Sequence, residues 1–299
     1  MKRLVSLLSI VALGTTLAAY QAPQTPAPTP TAAQLDVIKL KDNLFVITSS
    51  APGNAATFSG GNVSVLITDS GVTLVDTKLA AWGQALLDKV KSITPKPVTT
   101  IVSTHSHGDH TGNNDKFGKV DVIAHENTKA NLAKMPAFAG DKAQFLPSKT
   151  YTTTWTQGKG KDQIELRYFG PAHTSGDSVI VFPGLRIAQM GDLFAWKDGP
   201  LCDRINGGSC VAYSKTVLAA AASLKNIDTV ITGHSPMMTV KDVSDYGKFM
   251  ADLVASSRAS MKAGKSVDEA FAAFDITKYP GYKNERLKAS IQVIYDETK

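Results

Sequence analysis

The sequence predicts an α/β fold in which two β-sheets pack together and helices cover their outer faces. Short β-branched and apolar segments lead into helical patterns, and this order occurs twice along the 299 residues. The content of 43% apolar and 19% charged residues is that of a globular chain large enough to bury a core. No fixed-period repeat occurs in the sequence, so a solenoid is excluded. We expect one folded domain over residues 35–299.

The N-terminal residues are typical of an export signal. Lys2 and Arg3 precede an apolar stretch, 4–19, which is followed by small residues suited to cleavage. The stretch is short for a membrane span of about 20 residues. We therefore expect a signal peptide over 1–22 and a Pro/Thr/Ala-rich linker over 23–34, with an uncleaved anchor as the alternative. The protein is then exported, periplasmic or secreted, and has no stable membrane anchor after cleavage.

The first half of the domain is predicted to contain six strands and two helices. Runs of β-branched and apolar residues are bounded by turn residues such as Asp69 and Gly71, which is typical of strands. Apolar residues at helical spacing indicate the helices, the first of which ends before Pro95. The strands are expected at 35–40, 43–50, 61–67, 71–76, 98–105 and 120–125, and the helices at 79–93 and 126–135.

The second half repeats this order. Ser266 and Glu269 have the spacing of a capping box at the start of one of its helices. The strands are expected at 149–155, 163–169, 177–182, 185–192 and 228–234. The helices are expected at 214–224, 240–263, 266–274 and 284–297.

The charged residues show no pattern for nucleic-acid binding. The 32 Lys and Arg against 26 Asp and Glu give a formal net charge of +6, and the excess is spread along the chain. Basic blocks with interleaved aromatic residues do not occur in the sequence, so we expect no nucleic-acid partner.

Three of the six histidines lie in one short polar segment, HSHGDH, at residues 105–110. Side chains two residues apart on an extended chain project to the same side, so His105 and His107 can bind one ion together. Asp109 and His110 then turn to the other side. Imidazole and carboxylate ligands without thiolate suit zinc, and also iron or manganese.

Two ions need more ligands than this segment supplies. Further candidates follow apolar strands or lie at turns, and they are His173, Asp192 and His234. Together with the segment 105–110 they form one pattern of metal-binding residues.

These residues lie in motifs that resemble those of the metallo-β-lactamase superfamily. THSHGDH matches the family's HxHxDH motif, and LVDT, which contains Asp76, matches its first motif. PAHTSGD, MGDLF and TGHSP match the remaining motifs in the family's order. The resemblance covers residues 35–299 and implies a catalytic domain folded as an αββα sandwich of two mixed β-sheets flanked by helices, with metals at one edge.

The resemblance also implies how the candidate ligands divide. The first zinc ion would be held by His105, His107 and His173. The second would be held by Asp109, His110 and His234. Asp192 would bridge the two ions, and Asp76 would fix the loop that carries the histidines without binding metal.

The same resemblance implies a binuclear zinc hydrolase with two Zn²⁺ per chain. Such a site lowers the pKa of bound water to roughly 7, and the resulting hydroxide would attack the carbonyl of a β-lactam, lactone, ester or thioester. Asp109 is the expected catalytic residue, which orients the hydroxide. Because the site stays positively charged, the expected partner is a small anionic substrate.

Departures from the family's subclasses leave the reaction open. Common β-lactamases of the family usually carry Cys where Asp192 stands and Arg where His110 stands, and another subclass usually lacks the bridging Asp. One alternative is a mononuclear iron sulfur (persulfide) dioxygenase on the same fold. Another is a binding protein without turnover, against which the intact ligand set argues.

Several neighbouring residues are candidates for the substrate pocket or its support. Phe58, exposed by pattern, lies in a flexible loop over 49–61 that would cover the substrate, with a plain turn as the alternative. Trp196 and the stretch 135–138 are expected to line the pocket. His125 is expected to support the site and not to bind metal.

The segment that follows Asp192 carries both cysteines. Cys202 and Cys210 lie close together in a chain that we expect to be exported, so we predict a disulfide between them, with free thiols as the alternative. Asp203 and Asn206 resemble a family feature whose role the sequence does not give.

Overall fold

The computed structural model describes residues 29–48 and 57–299. The predicted signal peptide (1–22), most of the predicted linker (23–34) and most of the loop 49–61 lie outside the described residues. The end of the linker region, Ala32–Gln34, forms one turn of 3₁₀-helix. The Gln34 side chain caps this turn, because it accepts a hydrogen bond from the Thr31 backbone N–H at 2.7 Å.

The first sheet has seven strands, arranged in chain order. They are β1 (Val37–Lys41), β2 (Leu44–Ile47), β3 (Val63–Ile67), β4 (Val72–Val75), β5 (Val98–Val102), β6 (Asp121–His125) and β7 (Lys149–Tyr151). Pairs from β1 to β4 are antiparallel, and pairs from β4 to β7 are parallel. The sheet is therefore mixed, as predicted.

The second sheet has five strands in the order β12-β11-β10-β9-β8. They are β8 (Thr154–Gln157), β9 (Ile164–Tyr168), β10 (Ser178–Phe182), β11 (Ile187–Gln189) and β12 (Thr229–Ile231). Pairs from β8 to β11 are antiparallel, and β11 pairs parallel with β12. This sheet is also mixed.

The passage from one sheet to the other corrects one prediction. The sequence predicts one strand over 149–155, but the structure divides this segment in two. Tyr151 ends β7 opposite His125, and Thr154 begins β8 opposite Arg167. A run of threonines favours strand throughout, so local preference does not indicate where the chain changes its partner.

Seven α-helices occur in the part of the chain that the structure describes. They are α1 (Gly83–Ile93), α2 (Gly108–Thr111), α3 (Glu126–Leu132), α4 (Cys210–Ser223), α5 (Val240–Lys262), α6 (Val267–Ala273) and α7 (Leu287–Thr298). The capping box of Ser266 and Glu269 is confirmed at the start of α6. The helix predicted over 214–224 begins earlier, because the Ser209 hydroxyl accepts the Ala212 N–H and caps α4. None of the described helices combines the length and the apolar character that a membrane crossing requires.

Apolar side chains form three layers that confirm the predicted sandwich. Between the sheets, Leu66 and Val102 of the first pack with Ile180 and Phe182 of the second. The outer face of the first sheet is covered by α1, and the outer face of the second by α4, α5 and α7. Full burial of each large side chain contributes about 1.5–3 kcal/mol, so both sheets depend on their covering helices.

The strand directions bring the candidate ligands to one edge of the sandwich. The segment 105–110 follows β5, and Asp192 and His234 follow the parallel strands β11 and β12. His173 precedes β10, which runs antiparallel to β11, so it reaches the same edge as Asp192. The topology therefore assembles ligands from both sheets.

Candidate metal centre

Three histidines form what we call the first cluster: His105, His107 and His173. His107 is the extended residue before α2, and a bend at 104–106 leads into it, so that the ring centroids of His105 and His107 lie 5.0 Å apart. The His173 ring lies 4.7 Å from that of His105 and 4.5 Å from that of His107. The three imidazoles thus surround one point.

Hydrogen bonds on the outer side of each ring decide which nitrogen faces this point. His107 donates from Nε2 to Oδ2 of Asp203 at 2.8 Å, and His173 donates from Nδ1 to the Leu201 carbonyl at 2.7 Å. The Thr104 hydroxyl lies 3.0 Å from Nδ1 of His105 and donates to Asp76, so it accepts from that ring. Each ring therefore directs a lone pair inward.

The inward nitrogens of the first cluster fit a cation. Nδ1 of His107 and Nε2 of His173 lie 2.9 Å apart, and Nε2 of His105 is buried with no hydrogen-bond partner among the described residues. Burial lowers the pKa of His173 to about 4 and that of His105 well below its usual range. Neutral imidazoles are the form that binds metal.

The second cluster consists of Asp109, His110 and His234. Nε2 of His234 lies 3.2 Å from Nε2 of His110 and 3.2 Å from Oδ2 of Asp109. Burial disfavours protonation of both histidines, but the neighbouring carboxylates outweigh it and raise the pKa of each. Burial also disfavours ionisation of Asp109, yet the histidines lower its pKa to about 2.

Asp192 lies between the clusters. Its Oδ1 is 3.2 Å from Nε2 of both His110 and His234, and its Oδ2 is 3.6 Å from Nε2 of His173. Burial opposes its ionisation, but the histidines of the second cluster hold its pKa well below the usual range. Gly233 leaves it room, since a Cβ there would lie 2.0 Å from Oδ1.

All seven predicted ligands therefore lie together at one edge of the sandwich, and their coordination of metal stays a prediction. Potential ligand atoms lie within 4.8 Å of one another in each of two groups, in the first of which Asp192 joins the histidines. Every donor is an imidazole or a carboxylate. Cys202 and Cys210 form the predicted disulfide, with an S–S distance of 2.00 Å, so neither offers a thiolate.

Asp76 forms hydrogen bonds with both ends of the segment 104–110. It follows β4 in the left-handed region, at φ 68°, and is fully buried. Its Oδ1 accepts the Thr104 N–H, and its Oδ2 accepts the Thr104 hydroxyl and Nδ1 of His110, all at 2.8 Å. It thus fixes Thr104, which precedes His105 of the first cluster, and His110 of the second cluster, while it lies outside both clusters.

Two buried charged residues near the site were not found from the sequence. Asp177 accepts from the N–H and hydroxyl of Thr174 and closes the turn that carries His173, and burial raises its pKa to about 7. Lys78 donates from Nζ to Ser59 Oγ and to the carbonyls of Thr48 and Gly61, and burial lowers its pKa to about 7. A lysine in the otherwise apolar run after LVDT was the available signal.

Asp203 has the clearest supporting role. Its Oδ1 accepts the N–H groups of Ile205 and Asn206, and its Oδ2 accepts the Asn206 side-chain amide at 2.5 Å in addition to Nε2 of His107. This family feature, whose role the sequence did not give, therefore orients a ligand of the first cluster.

A cavity of about 860 Å³ opens beside His234. Trp196 lines it, with its ring centroid 5.5 Å from that of His234. Phe58, which we expected to be exposed, is partly buried because its ring packs 5.5 Å from the same histidine. The stretch 135–138 does not reach this cavity and lines a smaller one of about 220 Å³.

His125 lies outside both clusters. Its Nδ1 accepts the Asn127 N–H and caps α3, and its Nε2 donates to the Thr152 carbonyl at 2.9 Å. The ring stacks on Tyr168 at 3.9 Å. These contacts give it the supporting role that we expected.

Comparison with known proteins agrees with the geometry. The sequence matches the profile of the Metallo-beta-lactamase superfamily over residues 56–234. The chain belongs to this superfamily.

Individual relatives are distant. Metallo-beta-lactamase IND-1 of Chryseobacterium indologenes is 24% identical over 200 residues, which cover 65% of this chain and 80% of that protein. The 2,4-dinitroanisole O-demethylase subunit alpha of a Nocardioides species is 33% identical over 133 residues, 42% of this chain and 38% of its own length.

Solved structures of the superfamily show the same fold. A metallo-beta-lactamase from Pontibacter korlensis superimposes with a TM-score of 0.61 at 22% identity, covering 73% of this chain and 99% of that one. The sec-alkylsulfatase Pisa1 from a Pseudomonas species gives a TM-score of 0.69 at 18% identity, covering 88% of this chain and 50% of that one. Because these names include different reactions, the fold alone does not identify the substrate.

Proposed function

We propose that the chain is an exported binuclear zinc hydrolase that cleaves a β-lactam, lactone, ester or thioester. The observation that carries the proposal is the position of Asp192, with one carboxylate oxygen toward each cluster at 3.2 Å and 3.6 Å. A carboxylate that faces both clusters suits a bridged pair of ions. A site for one ion does not need this arrangement.

Zinc is the ion that we assign to both clusters. Imidazole and carboxylate donors suit zinc, and the superfamily is typically hydrolytic. When bound, zinc acts as a Lewis acid and lowers the pKa of a bound water to about 7. The first cluster offers neutral imidazoles, and the second adds the negative charge of Asp109.

Asp109 is the residue that we assign to the orientation of the attacking water. It stays ionised at neutral pH, since its pKa is lowered to about 2, and its side chain is 20% exposed. A carboxylate that is partly accessible and fixed beside His234 can accept a hydrogen bond from water and steer its approach. Asp192, at 7% exposure, is too enclosed for this role.

The substrate that we propose is small and anionic. Two divalent cations exceed the charge of Asp109 and Asp192, so the loaded site attracts negative charge and stabilises a developing oxyanion. The cavity beside His234 has room for such a molecule and an aromatic wall in Trp196. β-Lactams are the first substrates to test, because a relative bears the name metallo-beta-lactamase.

Export is supported by two features. A disulfide joins Cys202 and Cys210, and disulfides persist in oxidising compartments. The N-terminal sequence has the pattern of a signal peptide.

Metal analysis of the purified mature protein, paired with hydrolysis assays, tests the proposal. We expect two zinc ions per chain and turnover of nitrocefin, or of a lactone, ester or thioester, that a chelator abolishes and zinc restores. His110→Ala should keep the first ion, lose the second and lower kcat/KM by about 100-fold or more, because it removes a ligand of the second cluster.

His125→Gln is the matched control, since this buried histidine lies outside both clusters, and it should retain both ions. One iron per chain, with persulfide oxidation, would replace the proposal with the mononuclear dioxygenase. Full metal content and full turnover in His110→Ala would refute the binuclear site.

A further inference from the structure

The cavity beside His234 holds an arginine whose side chain forms no ion pair with any described residue. The guanidinium carbon of Arg286 lies 4.3 Å from the ring centroid of Trp196, and Trp196 in turn lies 5.5 Å from His234. Both Arg286 and His234 line the cavity. The Trp196 ring therefore lies between the positive charge of Arg286 and His234 of the second cluster.

The position of the guanidinium over the ring leaves the arginine able to bind a ligand. A guanidinium carries five N–H donors, which lie in its plane and point outward at its edge. Within residues 29–48 and 57–299 these donors have no acceptor, and only the backbone N–H of Arg286 bonds, to Asp198. The edge of the guanidinium is thus unused.

The other charges of the cavity are already paired. Lys197 donates from Nζ to Asp242 at 2.6 Å, and Lys283 donates to Glu285 at 3.2 Å. Asp198, which is buried, accepts from the backbone N–H groups of Gly199 and Arg286. Among the described residues, Arg286 is therefore the cation of this cavity whose side chain has no carboxylate within ion-pair distance, although the charge of Asp198 lies near enough to interact with it.

The backbone holds this arginine over the ring. The Lys283 N–H donates to the Lys197 carbonyl at 2.9 Å, which fixes the segment before α7 against the residue that follows Trp196. Because the arrangement does not depend on the ligand, the subsite is preorganised, and binding requires little ordering of the side chain.

We propose that Arg286 and Trp196 form a subsite for a carboxylate that the substrate carries away from the bond being cleaved. The planar fork of the guanidinium matches a carboxylate with two parallel hydrogen bonds. Trp196 and Met237, which both line the cavity, would contact the apolar body of the substrate. The inference rests on the proposed hydrolytic site and deepens it, because it makes Arg286 the residue that selects carboxylate substrates.

Binding of two probes with the same shape tests the subsite without turnover. Zinc-loaded protein is titrated calorimetrically with phenylacetate and with uncharged phenylacetamide. Arg286→Gln should weaken phenylacetate binding by about 10- to 100-fold and leave phenylacetamide unchanged, since a hydrogen bond between two charged groups is lost. Arg258→Gln, which removes an exposed arginine of α5, is the control and should change neither affinity.

Equal affinity of wild type and Arg286→Gln for phenylacetate would show that the metal ions alone hold the anion, and would overturn the subsite. Equal weakening of both probes would also overturn it, because it would mean that the cavity had collapsed. The affinity of Arg286→Lys for phenylacetate should lie between those of wild type and Arg286→Gln, because lysine keeps the charge but lacks the planar pair of N–H donors.

Kinetics separate this inference from the proposed function. For whichever substrate class is hydrolysed, kcat/KM is compared between a carboxylate substrate and its methyl ester. Arg286→Gln should reduce the preference for the carboxylate by about 10- to 100-fold through KM, with the ester unaffected. If Arg286→Gln hydrolyses the substrate and keeps the preference of wild type for the carboxylate, the subsite is refuted and the proposed function is not. If the wild type hydrolyses none of these substrates, the proposed function is refuted, and the calorimetric titrations alone then test the subsite.

Discussion

Replacing Asp203 with asparagine changes the hydrogen bond that orients His107 while keeping the shape of the side chain. The Asp203 Oδ1 accepts two backbone N–H groups, at 3.0 Å and 3.2 Å, so an asparagine oxygen must stay on that side. Its amide NH₂ then faces Nε2 of His107, which must become an acceptor. The ring proton moves to Nδ1, the nitrogen that lies 2.9 Å from His173 in the first cluster.

A protonated nitrogen does not bind metal, so the first cluster loses one donor unless the ring rearranges. Changes of partners that orient metal ligands typically lower metal affinity by about 10- to 100-fold, which is about 1.4–2.7 kcal/mol. Asp203→Asn should therefore weaken the first zinc by this amount and lower kcat/KM with it. Fold stability should fall by only about 1 kcal/mol, because the hydrogen bond from the Asn206 side-chain amide is lost while the backbone cap over 204–206 is kept.

Competition with a chromophoric chelator measures the affinity, and urea unfolding of the metal-free protein measures the stability. Asp275→Asn is the matched control, because Asp275 caps a 3₁₀ turn in the same way, by accepting the Thr277 N–H and hydroxyl, and it is exposed. Unchanged zinc affinity in Asp203→Asn would refute the assignment of the His107 tautomer.

Three further predictions concern the same site. In the metal-free protein His110 and His234 of the second cluster have raised pKa values, whereas His105 and His173 of the first have lowered ones, so zinc must displace more protons at the second cluster. The affinity of the second cluster for zinc should therefore fall more steeply than that of the first as the pH falls. Calorimetry in buffers of different ionisation enthalpy should show more protons released when zinc binds to the second cluster, and equal release at both clusters would contradict the prediction. Gly233→Ala should displace Asp192 and lower retention of both ions after dialysis by about 10-fold or more, with unchanged circular dichroism; full retention would disprove the close packing. Lys78→Met should destabilise the metal-free protein by about 2 kcal/mol in urea, because it leaves buried oxygens without a donor, while Lys91→Met on the exposed surface of α1 should have no effect.

The fold and the ligand set were accessible from the sequence for a common physical reason. β-Branched strands and capped helices are local features, and they were predicted close to their observed bounds. The candidate ligands follow strands or lie at turns, and the order of their motifs, which resembles that of the metallo-β-lactamase superfamily, grouped the segment 105–110, His173, Asp192 and His234 before the structure did.

The features that could not be predicted from the sequence depend on contacts between residues that are far apart along the chain. The break of 149–155 into β7 and β8 is set by which strands lie beside it. Lys78 is buried because the segment around Ser59 and Gly61 folds over it, and its position in an apolar run was the only local sign of that enclosure. The expectation that Phe58 is exposed was wrong because its ring packs against His234, which is far away in the sequence.

The chain passes from one sheet to the other at residues 152–153, so the two sheets are built from consecutive halves of the described sequence. The segment 105–110 belongs to the first half, and His173, Asp192 and His234 belong to the second. Ions bound by both sets would therefore crosslink the two halves, in addition to the two-residue connection, the core between the sheets and hydrogen bonds such as that from Ser64 Oγ to Gln189 Oε1. If a protease cut at this connection, the reassociation of the two fragments would be coupled by mass action to the concentration of free zinc.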